Sequence, residues 1–236
     1  MSASFQTLSS PPKLRGLIEK SAALKREAAR RKRENRLLEF RPYTKQLEFF
    51  AAGATHRERL LMAANQVGKT IAGGAEVAFH TTGLYPDWWP GRRFDRPTNW
   101  WCASVTSDAT RDNVQAKLIG PPAQEDAFGT GFIPKSRLID WDRAQGTVNL
   151  LDNATVRHVS GGISTIGFKS YSQERQKWQG PTLDGVWFDE EPGMDLYMEG
   201  LTRTNAVADS VVFLTFTPLL GMSSVVRMFL GEDGMK

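Results

Sequence analysis

The sequence predicts an α/β fold, a mostly parallel sheet flanked by helices, and three observations lead there. From residue 44 onward, short apolar runs alternate with stretches of helical periodicity. One run is followed closely by Gly68-Lys69-Thr70, which opens a helix. Another ends in Asp189-Glu190-Glu191. Continuous apolar runs are what strands covered on both faces of a parallel sheet look like.

The chain has 236 residues, enough for one good core and an appended arm. From Pro12 to about Glu39 the composition is helix-forming, with a thin apolar stripe of Leu14, Leu17, Ile18, Leu24, Ala28 and Leu37. Arg41-Pro42 ends it, because the residue before proline is pushed out of the helical region. Residues 1–42 carry eleven Lys and Arg against four Glu, a surplus of +7 that leaves −3 for residues 43–236 out of a net +4. The expected organisation is therefore a basic helical arm, 1–42, and a main domain, 43–236. Such an arm suits phosphate backbones or an acidic partner surface as well as a plain solvated helix.

A helix is expected from Thr44 to near Gly53, a buried strand over 59–64, and a helix from Gly68 to about His80. Tyr85 to Pro97 is a turn-rich loop containing Trp88-Trp89, which serve either to pack the loop or to stack on a partner. Residues 99–104 read as a strand, and Ser107 as the cap of a helix running to Ile119. Residues 120–146 read as irregular. Residues 147–151 and 155–160 read as strands joined by a hairpin turn at Asp152-Asn153. Strands at 185–189 and 211–217 enclose a helix over 195–206, and a last helix starts at Val225.

Several classes are excluded early. One cysteine, Cys102, rules out an intramolecular disulfide and a thiolate-rich zinc site. Three scattered histidines, His56, His80 and His158, argue against a His-based metal centre. No apolar run approaches the roughly 20 residues needed to cross a bilayer, and the first residues lack a secretory pattern, so a cytoplasmic-type protein without a membrane partner is expected.

The chemistry lies in two segments. Residues 63–70 follow the phosphate-loop pattern, with Ala63 in the place of the first glycine. Gly68 lets backbone N–H groups turn toward phosphates, Lys69 reaches the β and γ oxygens, and the Thr70 hydroxyl ligates Mg²⁺. Asn65, Gln66 and Val67 complete the cradle, and the helix N-terminus adds its own attraction for anions. In the second segment a buried strand delivers Asp189 to the sheet edge, where it can hold Mg²⁺. Glu190 can then orient and deprotonate the attacking water, with Glu191 the substitute if the register slips by one. Together the segments predict a phosphate-loop NTPase of the ASCE, RecA-like kind, with an extra strand carrying the catalytic Glu, and ATP and Mg²⁺ as its ligands.

With both motifs placed, residues 40–230 resemble the ATPase domain of large terminase subunits, the DNA-packaging motors of tailed double-stranded DNA phages. The likeness rests on RPYTKQLEFF, ANQVGKT, WWCASVTSDATRDNVQ, DNATVRHVSGG, VWFDEEP and VVFLTFTP, in that order. It implies Tyr43 and Gln46 at the adenine and Glu190 as catalytic base. Thr215 or Thr217 would sense the γ-phosphate and couple hydrolysis to movement of DNA. It further implies translocation of double-stranded DNA into a procapsid, with portal protein and small terminase subunit as partners. The subunits would form a pentameric ring in the host cytoplasm, docked on the procapsid and absent from the mature virion.

Two departures stand out. Some relatives carry an arginine inside the phosphate loop, where this chain has Asn65, so a transition-state arginine would come from a neighbouring subunit, with Arg143, Arg157 and Arg175 unranked. The family's nuclease half, with its carboxylate cluster, has no counterpart: Asp140, Asp142, Asp152 and Asp184 read as loop and turn residues, and no nuclease activity is expected. DNA contacts should go to phosphates, from Arg92, Arg93, Lys169, Lys177 and the arm. Two other readings are a helicase-like remodelling ATPase and a nucleotide-gated docking module with little turnover alone.

Overall fold

The computed structural model describes residues 12–173, 175–219 and 221–231. Helices α1 (Pro12–Glu34) and α2 (Arg36–Glu39) come first, breaking at Asn35. Along α1, Leu17, Ile18 and Leu24 stay exposed, whereas Leu37 of α2 is fully buried. Then follow α3 (Thr44–Ala52), β1 (Glu58–Met62), α4 (Lys69–Thr82) and β2 (Asn99–Ser104). A composite helix runs through α5 (Ser107–Ala109), a π-helical turn (Thr110–Gln115) and α6 (Ala116–Leu118). Strands β3 (Leu138–Arg143), β4 (Leu151–Arg157), β5 (Ile163–Ser170) and β6 (Gly185–Asp189) precede α7 (Met194–Thr204), β7 (Val211–Phe216) and α8 (Ser224–Leu230).

The seven strands form one sheet in the order β1-β7-β6-β2-β5-β4-β3. From β1 to β5 all pairings are parallel, and β5-β4-β3 is an antiparallel meander. Strand β7 alternates its side chains between two cores. Val211 and Phe213 join α3 and α4 on one face, and Val212, Leu214 and Phe216 join α7 and α8 on the other. The strand inserted between β1 and β6 is thus β7, which carries Thr215; Glu190 follows β6. The extra strand does not carry the Glu, contrary to expectation.

Four further expectations fail, each for a physical reason. Asp152-Asn153 is not a turn: β4 runs through it, with Asn153 paired to Asp142 and Gly167. The turns lie at 144–150 and 158–162 instead, and β5 follows the second. Residues 138–143, within the stretch read as irregular, form β3. Asp140, Asp142 and Asp152 are therefore strand residues, whereas Asp184 lies in the loop before β6, as read, and is buried there, accepting from Arg96 and from the Asn99 amide at 2.7 Å. The cap of α5 is Thr106, whose Oγ1 accepts from Ala109 N at 3.1 Å, not Ser107.

The aromatic loop packs on its own domain. Trp89 is buried against Phe50 and Phe79, with ring centroids 4.8 and 4.9 Å away. Among the described residues no helix is long and apolar enough to cross a membrane.

Between α3, β1 and α4 lies a buried ion pair. Arg59 Nη2 meets Glu76 Oε1, and its Nη1 donates to Glu76 Oε2 at 3.2 Å and to Phe49 O at 3.0 Å. The guanidinium also lies over the Phe49 and Phe213 rings at 4.6 and 5.4 Å. His80 Nε2 sits 3.3 Å from Glu76 Oε1. Burial works to raise the Glu76 carboxyl, but the Arg59 charge and the bonds from His80 and Arg59 outweigh it and hold it low. Burial lowers the His80 ring, aided by the charges of Arg59 and Arg92 and opposed by Glu76. Both groups bind protons less readily folded than unfolded, so their contribution is present at neutral pH and lost on acidification. The thermal midpoint should fall between about pH 7 and pH 5, a window around the unfolded histidine value near 6.5. The fall should be shallower in His80→Phe; equal slopes would remove His80 from the account.

Candidate active site

β1 and the start of α4 hold the phosphate loop between them. Gly68 has φ +86°, and a Cβ there would come 2.9 Å from Gln46 Nε2, so glycine is required twice over. Ala63 has no positive φ, which is why the loop dispenses with glycine there. Gln66 takes the left-handed conformation instead, at φ +62°. Gln46 is buried and braces the loop: its Oε1 accepts from Tyr43 N at 2.9 Å, and its Nε2 donates to Gly68 O at 2.8 Å. The Tyr43 ring stays exposed beside it.

The parallel register brings the acidic end to the loop. Asp189 of β6 pairs with Thr215 of β7, which pairs with Leu61 of β1. Asp189 Oδ1 accepts from Thr70 Oγ1 and from Thr215 Oγ1, both at 2.9 Å. Thr215 in turn accepts from Trp187 Nε1 at 2.8 Å. Burial pushes the Asp189 carboxyl up to about 7, against the pull of the two threonine hydroxyls. Among the described residues it has no ion pair. A desolvated carboxylate beside a threonine hydroxyl is a hard-oxygen donor set, which fits Mg²⁺, an ion that keeps most of its other ligands from water and phosphate.

Glu190 adopts φ +71°, a left-handed conformation unusual for this residue type. Three hydrogen bonds fix it. Its N–H donates to Thr215 O at 3.0 Å, and the hydroxyl of the half-buried Tyr171 donates to Glu190 O at 2.8 Å and Asp189 O at 3.1 Å. The turn aims Glu190 at a cavity of about 300 Å³ that it lines with Asn65, Gly68, Lys69, Thr70 and Lys117. Glu191 is committed elsewhere, accepting from Ser223 Oγ at the cap of α8. A second cavity of about 610 Å³ lies on the other side of the loop, lined by Tyr43, Gln46, Leu61, Val67 and Lys69.

Lys69 donates to Ala64 O at 2.7 Å and to Thr217 Oγ1 at 2.8 Å, and Thr217 donates on to Asn65 Oδ1 at 2.7 Å. The structure therefore gathers Tyr43, Gln46, Asn65, Gln66, Val67, Gly68, Lys69, Thr70, Asp189, Glu190, Thr215 and Thr217 in one region. Reading the sequence missed Tyr171 and Lys117, neither of which belongs to a motif. The DNA candidates do not converge. Arg92 and Arg93 lie in the loop after α4, toward the amino ends of the parallel strands. Lys169 lies near the carboxyl end of β5 with its ammonium 5.3 Å over the Trp101 ring, and Lys177 is exposed nearby. Of the arginine candidates, Arg143 is paired with Glu125 and Arg157 is exposed at the end of β4. The side chain of Arg175 lies outside the described residues.

A phosphate loop at the end of an edge strand and an acidic strand end two strands away, with one strand inserted between, define an ASCE, RecA-like phosphate-loop NTPase fold. The family model "Terminase large subunit, T4likevirus-type, N-terminal" matches residues 60–235. This chain belongs to the terminase large-subunit family. It is 46% identical over 211 residues to the large terminase subunit of Salmonella phage P22, covering 82% of this chain and 42% of that one. It is 24% identical over 209 residues to that of Enterobacteria phage LP7, covering 82% and 43%. The chain thus spans less than half the length of these curated relatives. The fold is similar to that of the Thermus phage P74-26 large terminase ATPase domain, with a TM-score of 0.52 at 18% identity over 77% of this chain and 66% of that one.

Proposed function

We propose that this chain is a Mg²⁺-dependent ATPase motor unit that moves double-stranded viral DNA into a procapsid. The observation that carries the reading is the convergence of Lys69, Thr70, Lys117 and Glu190 on one cavity, with Asp189 bonded to Thr70 behind it. Residues 43–236 form the motor and 1–42 a basic arm. Portal protein, small terminase subunit and a ring of like subunits, pentameric by resemblance, are its partners in the host cytoplasm.

The residues divide the chemistry. Tyr43 stacks at the adenine, with Gln46 beside it. Backbone amides from Asn65 to Thr70 bind the phosphates, and Lys69 leaves Thr217 to reach the β and γ oxygens. Thr70 and Asp189 would hold Mg²⁺, which neutralises charge on the transferred phosphoryl group. Glu190 orients a water against the γ-phosphorus and takes its proton as the new P–O bond forms. The bond from the γ-phosphorus to the bridging oxygen breaks, and ADP leaves with that oxygen. Thr217, released by Lys69, and Thr215, bonded to Asp189, pass the change to the end of β7.

The test is ATP hydrolysis over a range of protein concentrations, with and without duplex DNA. Turnover per chain that needs Mg²⁺ and rises with concentration and DNA is expected. Bound nucleotide with negligible hydrolysis at every concentration would replace the motor with a docking module.

Tyr171 holds the Glu190 turn. Tyr171→Phe should lower kcat several-fold with little change in nucleotide affinity, and cost about 1–3 kcal/mol for the stranded carbonyls. An unchanged kcat at full occupancy would make Tyr171 a packing residue only.

A further inference from the structure

Lys117 is the one cation of the phosphate cavity that no motif announces. It lies on α6, some fifty residues after Lys69, yet it lines the same cavity as Lys69, Thr70 and Glu190. Its main chain is fixed. Phe132 N donates to Lys117 O at 2.8 Å, and its Cβ packs so close to α4 that a methyl added at Gly74 would lie 3.4 Å away. Its ammonium, by contrast, makes no hydrogen bond or ion pair with any described residue, whereas Lys69 is bonded to Ala64 and Thr217.

The π-helical turn sets this orientation. A π turn adds a residue to a helix and rotates everything after it by about 100° relative to an unbroken α-helix. Side chains pin this turn at both ends. Thr110 Oγ1 donates to Lys169 O at 2.7 Å and accepts from Ser104 N at 3.2 Å. The fully buried Gln115 donates to Asn149 O at 3.0 Å and accepts from Leu151 N at 2.8 Å. Three strands, β2, β4 and β5, thus hold the turn, and Lys117, two residues on, is turned to the cavity.

We infer that Lys117 is a second cation, supplied by the chain itself, that contacts the terminal phosphate of ATP. The inference rests on the ATPase reading of this cavity. Charge spreads over the γ-phosphoryl oxygens as the bridging bond breaks, and a preorganised cation there acts on the transition state more than on the ground state.

The test compares wild type, Lys117→Met, Lys117→Arg and Glu190→Gln in two assays: equilibrium binding of ATP and ADP, and turnover. Lys117→Met should weaken ATP at least fivefold while leaving ADP within twofold, because only ATP carries the phosphate in question. Its turnover at saturation should fall tenfold or more, and Lys117→Arg should restore most of both. ATP and ADP affinities that change together, or neither changing, would overturn the inference. The binding assay reads this even where an isolated chain turns over slowly. If Lys117→Met behaves as wild type while Glu190→Gln binds ATP without hydrolysing it, only the role of Lys117 falls. If no variant or wild type binds ATP, the reading of the cavity falls with it.

Discussion

Glu190→Gln should lower ATP turnover by roughly 10²–10⁴-fold, the range for removing a positioned general base, while nucleotide affinity stays near that of wild type. The amide keeps the shape and still accepts a hydrogen bond, but it cannot take the proton of the attacking water. The neighbouring acid supplies the control. Glu191 accepts from Ser223 at the start of α8 and does not line the phosphate cavity, so Glu191→Gln should stay within a few-fold of wild-type turnover. Measuring both variants at saturating ATP and matched protein concentration separates the two carboxylates. Full activity in Glu190→Gln with loss in Glu191→Gln would move the base by one residue and contradict the observed turn.

The largest stability effect is expected at Arg59. Arg59→Met leaves the Glu76 carboxylate buried without its main counter-charge, with only His80 near it. Breaking a buried pair from one side costs about 3–5 kcal/mol. For a chain of this size that is a fall of roughly 6–20 °C in the thermal midpoint. The double variant Arg59→Met/Glu76→Met should recover most of the loss, since an apolar pair of similar volume removes the desolvation penalty together with the attraction. Thermal unfolding without nucleotide is the measurement. A double variant as unstable as the single one would show that the guanidinium's contacts with Phe49 O and the two phenylalanine rings outweigh its pairing with Glu76.

How much of this was legible in the sequence depends on which faces of a strand are covered. β2, β6 and β7 are covered on both faces and read as unbroken apolar runs such as WWCAS, GVWFD and VVFLTF; their residues stood out at once. β3 and β4 of the antiparallel meander are half-exposed, and Asp152 and Asn153 of β4 are both open, with buried and open positions alternating only beyond them. Local turn preference pointed the other way there, and pairing with two neighbouring strands prevailed. The site divides similarly. Lys69, Thr70, Asp189 and Glu190 sit in segments whose local chemistry announces them. Tyr171 and Lys117 reach the site through tertiary placement, one from beyond β5 and the other past a π turn held by β2, β4 and β5. No spacing within the sequence encodes either.

The parallel register has a consequence for how the protein is made. β1 ends at the phosphate loop, and among the described residues its sole neighbour in the sheet is β7, roughly 150 residues later. At about 5–20 residues per second, the ribosome takes roughly 8–30 s to supply that partner. Through that interval the RLLM strand has no ladder to join, while the β3-β4-β5 meander can pair as it emerges. Gly68-Lys69-Thr70 is synthesised early but gains its acidic counterpart only once Asp189 and Thr215 have been added. On the proposed ATPase reading, ATP can therefore stabilise only the finished sheet, by binding the native state. The nascent chain has to carry its apolar first strand until β7 has been made, without help from the ligand.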